Sequence, residues 1–442
     1  MKHAAWTILA ALAWIGVIPG ADAVAQELVP TPVPLLGSGE SQPEADETPI
    51  TAEVIDGSSW LDDGIFSELE DGPCCAVCGE GKGCPANWYF DQGIRVLTRG
   101  RPRGRLVTSE LSSNGAVLIP LIGIRMLSYD VAAGYHATIG RYLGCDTENR
   151  DHFAEFTYWG MNDWRESLSR NGGRFTYSHT IDDPDNPGTP IQVPFFQGGA
   201  LFVPFAASVG GFNRADSHSL YATSSINNFE LNVRLVPRVT ADRSVLHRGR
   251  WRHECQPGWS FSYLFGLRVT SIDDSFALRS TGSVFDVDVD GNQTSPAVDI
   301  SGDYFSKTHN DMFGMQFGIE LMHRKCKWQW GFRSKLAPFI NFADETSIVT
   351  TDATADPFVA TDMNVFHTAR ADSAAVIAEI GATARYKLRP DLIVSAAYDL
   401  MWISGLALGA EQIQYTDTPV ARISDNGTIL YMGLTMNIEW MW

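Results

Sequence analysis

The chain is 442 residues long with a formal net charge of −19, and no part of it forms a basic stripe, which argues against nucleic acid as a partner. Beyond its first residues no stretch approaches the roughly eighteen consecutive apolar residues of a membrane-spanning helix, so none is expected. Forty glycines and 44% hydrophobic residues suit strands joined by tight turns.

In chain order, Lys2 and His3 precede an apolar run over 4–18, and Pro19 and Gly20 end it. Two small-residue sites follow, Ala21-Asp22-Ala23 and Ala23-Val24-Ala25, so residues 1–25 read as a secretory signal peptide cleaved before Gln26. An exported chain without a spanning helix can sit in a membrane only as a closed barrel. Residues 26–73 carry twelve Asp or Glu, no Lys or Arg, and several prolines. Such a segment cannot bury a core and reads as a disordered acidic linker. The segment 74–85 is Cys-rich, with Cys74, Cys75, Cys78 and Cys84; Cys145, Cys255 and Cys326 stand singly. The cluster's spacing suits either zinc or disulfides, and export without a second CxxC favours disulfides. Connectivity stays open, and an odd count leaves one thiol over.

From 86 to 442 the dominant signal is a period of two. It is weak at 87–97, 130–141 and 152–163, and clear at 229–235, 259–269, 313–321, 328–340, 376–386, 392–402 and 429–442. These ten segments (eight to twelve, given how weak single strands are) predict an all-β fold, a transmembrane antiparallel β-barrel. The connections at 99–129, 165–225, 273–309, 343–373 and 405–427 are long and alternate with shorter ones at 142–151, 237–257, 324–326 and 388–390. That asymmetry predicts long outer loops, short periplasmic turns, and both termini in the periplasm of a bacterial outer membrane. Trp88, Trp259, Trp328, Trp330, Tyr386, Trp440 and Trp442 would form an aromatic girdle at the periplasmic rim. Tyr158, Trp164, Phe342 and Trp402 would sit at the outer rim.

The same alternation turns a set of charges inward. Asp91, Glu155, Glu230, Glu320, Glu379, Asp399 and Glu439 face Arg95, Arg234, Arg268, Arg333, Lys335 and Arg385, seven acids against six bases. In so narrow a barrel these lumen-lining residues make either an ion-paired filling or a narrow pore. In the loop 273–309, Asp286, Asp288 and Asp290 before Gly291 resemble half a calcium loop, and the alternative is a hairpin turn, which Asp-Gly favours. Ala297 stands where an EF-hand needs Glu, with Asp299 the nearest substitute. Apart from that calcium reading no cofactor is expected. The turn 237–257 holds five arginines with His247, His253 and Cys255, and its sign invites contact with the acidic linker. His218, Asp216, Asp273, Asp274, His309, Asp311 and His367 are scattered near the outer rim without a catalytic spacing, so no enzyme is expected.

Several stretches carry a family resemblance: HFAEFTYWGMNDW (152–164), SYLFGLRVTSIDDSFAL (262–278), NDMFGMQFGIELMHRKCKWQWGFRSKLAPFINFADETS (310–347) and IAEIGATARYKLRPDLIVSAAYDLMWISGLALGAEQI (377–413). They resemble the porin-like outer-membrane β-barrel proteins of Planctomycetes, over roughly residues 86–442. The resemblance implies a barrel in contact with outer-membrane lipid and a narrow channel for small solutes, and it brings no catalytic motif. A closed structural or surface-interaction barrel is the alternative, favoured by the crowded lumen and the long outer loops, and an outer-rim hydrolase is a third.

Overall fold

The computed structural model describes residues 84–442 except 103–105, 112–117, 147, 149, 184–185, 204–210, 238–242, 248, 255–256, 289, 291, 353–363 and 414–421. The stretches read as signal peptide and acidic linker, with Cys74, Cys75, Cys78 and Cys255, lie outside the described residues.

Ten long strands dominate: β1 (Trp88–Arg99), β2 (Ala132–Cys145), β3 (Arg150–Asn171), β4 (Ser217–Pro237), β5 (Gly258–Asp286), β6 (Val298–Arg324), β7 (Trp328–Asp352), β8 (Asn364–Arg389), β9 (Leu392–Leu406) and β10 (Gly427–Met441). Each pairs antiparallel with its neighbour in sequence, and β1 pairs with β10, which closes the ring. At the seam Trp88 and Trp442 exchange backbone hydrogen bonds of 3.1 and 3.0 Å. Closure leaves no strand edge unpaired, the condition for a sheet to stand in lipid.

The outer face of β5 shows why the chain goes into a membrane. Trp259, Phe261, Tyr263, Phe265, Leu267 and Val269 are exposed on it, while Ser260, Ser262, Arg268 and Thr270 are buried between them. That apolar run matches the roughly 9–11 residues a tilted strand needs to cross a bilayer. Beyond it the sidedness reverses. Ile272, Phe276 and Leu278 are buried on the inner face, and Ser271, Asp273 and Ser275 take the outer one. On β6 the exposed residues Phe313 to Leu321 likewise give way to Asp311, Lys307 and Asp303.

This reversal corrects one expectation. The stretches 273–309 and 343–373 are largely strand, since β5 and β6 stay paired up to Val284 and Val298, and β7 and β8 up to Thr350 and Asn364. With 29 residues, β5 is about 100 Å of strand at roughly 3.4 Å per residue, several times the bilayer requirement. A second correction concerns Trp164. Gly160 pairs with Asn227 and Asn162 with Ile226, so Met161 is an extra residue, bulged out at φ 62°. The bulge shifts the parity of β3. Trp164 therefore points inward, where it is 2% exposed and stacks on Tyr431 at 5.2 Å.

Short turns join the strands at one end. The one between β2 and β3 is held by the Asp146 carboxylate, which accepts from the backbone N–H of Glu148 and Arg150 and from Arg150 Nε at 2.6 Å. Desolvation opposes its ionisation, yet these bonds hold the Asp146 carboxyl at about 2. The same end carries a small sheet in which Cys84–Pro85 pairs with Arg243–His247, and that strand with Arg250–Glu254. The long-hairpin end adds a sheet of Leu106–Leu111, Leu118–Gly123 and Leu201–Phe202. A hairpin of Arg174–Asp183 and Asn186–Gly199 is joined to the end of β5. A ring of this kind resists SDS until heated, so the protein should fractionate with membranes and migrate differently on gels before and after boiling; a soluble, detergent-independent monomer would contradict the barrel.

Candidate solute-binding lumen

Midway up the ring the inward charges interlock. Arg268, fully buried, lies 2.6 Å from Glu379 and 3.9 Å from Glu230, and its Nε donates to Asn228 Oδ1 at 2.6 Å. Glu230 also accepts from Lys335 Nζ at 2.7 Å, Gln316 Nε2 at 2.9 Å and Asn228 Nδ2 at 3.0 Å. Arg333 grips both oxygens of Asp399, at 2.8 and 2.7 Å, and Arg95 approaches the same carboxylate at 3.9 Å while stacking over Trp159. Arg234 bridges Glu155 and Glu320, and Arg385 meets Glu439 at 2.5 Å. The reach of Arg333 depends on a glycine. In register, Arg333 of β7 pairs with Gly381 of β8, and Gly381 with Asp399 of β9. A Cβ on Gly381 would overlap Asp399 Oδ1, so only glycine lets the pair meet across the intervening strand.

On the short-turn side of this ionic belt lies a polar cavity of about 140 Å³, lined by residues from all ten strands and therefore the lumen itself. Asp91, His136, Glu155, Arg234, Glu320 and Arg385 are among its walls. On the long-hairpin side the interior is apolar. Val107, Ile122, Ile124 and Leu127, Val203 and Phe212, and Leu408, Ala410 and Ile413 come from three connections folded into the ring. They pack against Trp164, Ile272, Phe276, Met401, Ile403 and Tyr431 of the wall as one cluster.

Specific polar bonds latch the last of these connections. Asn310 donates to the Ala407 carbonyl and accepts from the Ala407 N–H, both at 2.8 Å. Asn341 donates to the Gly405 carbonyl at 2.9 Å, at a residue whose φ of +83° turns the chain inward. Asp274 accepts from the Gly409 N–H at 2.9 Å, and its other oxygen meets Arg99, also at 2.9 Å.

Twelve of the charges expected in the lumen meet one another in these contacts, and Asp91, 8% exposed, lines the cavity. Sequence reading missed Trp159, Asn228, Gln316 and His136, although Trp159 shares the parity of Glu155. It also missed the plug, because loop residues carry no strand period. Asp286 ends β5, and beyond it Asp288 Oδ1 accepts from the N–H groups of Asp290 and Asn292, at 3.0 and 2.8 Å. Among the described residues no three acidic, His or Cys side chains are grouped to share a metal ion. Of the outer-rim set, His309 sits between Asp273 and Asp311, each at 3.0 Å, on the outer face and away from the lumen. His218 is buried against Thr108 and the Phe212 carbonyl. Cys145 and Cys326 are each engaged in a disulfide.

A closed ring with an apolar outer belt and a charged interior defines an outer-membrane β-barrel of the porin-like kind. Residues 100–424 match the family described as "Putative beta barrel porin-7 (BBP7)", and the chain belongs to that family. No curated protein sequence matches it. Among solved structures, the outer membrane protease OmpT from Escherichia coli is 12% identical, with 82% of this chain and 98% of that one covered and a TM-score of 0.31. The Pseudomonas putida toluene transporter TodX is 9% identical, with 85% and 93% covered and a TM-score of 0.19. A Pseudomonas aeruginosa FadL homologue is 10% identical, with 85% and 94% covered, also at 0.19. At that level of similarity none of them bears on what this chain does.

The belt makes a stability prediction. Arg268→Met leaves Glu379 and Glu230 buried without their shared cation and should cost about 3–5 kcal/mol, read from urea unfolding in micelles or vesicles. The double change with Glu379→Gln should recover part of that loss, because it removes the stranded charge.

Proposed function

We propose that the protein is a narrow channel for small polar solutes, closed in the conformation described by the folded-in connections of its long-hairpin half. The observation that carries this reading is the polar cavity lined by all ten strands, bounded on one side by the ionic belt and beyond it by the apolar plug. Water and small polar solutes fit the first zone; the second excludes them until it moves. The Asn310–Ala407 and Asp274–Gly409 bonds are the features to weaken. Removing them should raise open probability by lowering the free-energy gap between closed and open states, each lost bond contributing roughly 0.5–1.5 kcal/mol. In planar bilayers the Asn310→Ala/Asp274→Asn protein should show more frequent small-conductance steps than the unaltered chain. Silence from both, at several salt concentrations and with membrane insertion verified, would favour a closed structural barrel.

In this reading the short turns and both ends of the barrel face the periplasm, and the long hairpins face outward, in keeping with their length. No catalytic role is assigned. The cysteines then share an oxidising compartment. Cys145 ends β2 and Cys326 lies in the turn between β6 and β7, four strands away by the shorter path. A ten-stranded ring is about 20 Å across at strand spacings near 4.8 Å, whereas disulfide-linked Cα atoms lie within about 7 Å. Their partners are therefore drawn from the other five cysteines, and pairing of Cys84–Pro85 beside Arg243–His247 brings Cys84 to this rim. Non-reduced peptide mapping should recover cross-links from Cys145 and Cys326 to peptides of the 74–85 cluster or Cys255. A peptide joining Cys145 to Cys326 would refute the arrangement.

A further inference from the structure

We infer that the lumen cavity is a binding site for a small primary ammonium cation, centred on Asp91. The inference rests on the channel reading for its purpose, and it stands on separate observations for its chemistry.

The first observation is charge. Of the seven acids and six bases directed into the lumen, ion pairing engages every base: Arg234 with Glu155 and Glu320, Arg385 with Glu439, Arg333 and Arg95 with Asp399, Arg268 with Glu379, and Lys335 with Glu230. Among the described residues Asp91 is the lumen acid that no base approaches within ion-pair distance. It stands directly across from Glu439 in the β1–β10 register, so the two carboxylates are cross-strand neighbours. Like charges so placed repel, and Arg385 forms its ion pair with the second of them.

The second observation is unmet hydrogen bonding in the same place. Asp91 is 8% exposed and lines the cavity, and its Oδ1 accepts no hydrogen bond from the protein. Asn437 Oδ1 and His136 Nδ1, on the two strands flanking β1, line the same cavity and are likewise without a protein partner. Gly93 explains how they converge. It lies between His136 and Asn437 in register, and a Cβ there would overlap Asn437 Oδ1. Its bare backbone leaves the wall open two residues from Asp91. With its proton on Nε2, His136 presents Nδ1 as an acceptor.

One carboxylate oxygen and two neutral acceptors beside it match a group with one positive charge and three N–H donors. An anion would meet an acceptor at each of these three atoms. A hard metal ion wants about six or more oxygens, which three side-chain atoms do not supply. A cavity of about 140 Å³ holds only a few heavy atoms, given roughly 30 Å³ per water in the liquid. A methylammonium-sized group fits that space.

The test uses the full-length barrel in detergent micelles, its fold verified by heat-modifiable mobility. Methylammonium chloride is titrated by calorimetry and by NMR saturation transfer to its methyl group. The unaltered protein should bind it saturably, Asp91→Asn should weaken binding at least about tenfold, and Asn437→Ala by a few fold, as charged and neutral hydrogen bonds differ. Asp91→Glu should retain part of the affinity, which separates charge from folding. Glycerol, with similar donors and no charge, should bind no better than to Asp91→Asn. Equal binding by the unaltered and Asp91→Asn proteins, no saturable binding at millimolar concentrations, or glycerol binding as strong as methylammonium would each overturn the site. Bilayer recordings tell the two readings apart. A barrel that binds methylammonium through Asp91 but never conducts loses the channel and keeps the site; one that conducts with binding indifferent to Asp91 loses only the site.

Discussion

In lipid no backbone N–H or C=O can be left unpaired, and every other feature of this barrel follows from meeting that demand with ten strands. Joining β1 to β10 removes the last edge, and ring size then sets the interior. A barrel only slightly larger than eight strands leaves room for side chains and little else. The long charged residues of the lumen reach across that space and meet. Arg333 crosses Gly381 to Asp399, and Arg268 spans from β5 to Glu379 on β8.

An interior of this kind is costly to desolvate and costlier to leave half paired, which makes the pairing itself the determinant of rigidity. Backbone hydrogen bonds hold the ring, and side-chain ion pairs tie distant walls to one another. The network closes almost completely, with Asp91 the carboxylate outside it. The belt also divides the lumen. One side keeps a polar cavity; the other is filled by folded-in connections that behave like the core of a soluble protein.

That division appears along each long strand as a change of sidedness. Within the bilayer, apolar residues face out and polar ones face in; above it the solvent is water and the order reverses, as on β5 between Val269 and Ile272. The rule is the same in both zones, apolar groups turning away from water. Only the position of water differs. The long hairpins are thereby stable outside the membrane, with the plug as their core.

How much of this the amino-acid sequence carries depends on the range of the interaction. Period-two alternation is local, so the ten strands, their order and the inward parity of residues such as Glu230, Arg268 and Asp399 are legible in it. The lipid-facing ends of the strands are legible too, as at 259–269, where an apolar face meets a single solvent. Their continuation past the bilayer is not, because the alternation changes sign and reads as loop. Nor does the period foresee the Met161 bulge, which turns Trp164 from the rim into the core. Which acid pairs with which base, which one stays outside the pairing, and how Asn310 holds Ala407 involve residues some fifty to three hundred positions apart. Those choices were decided by the closed ring, whose register alone brings such residues within a hydrogen bond's length.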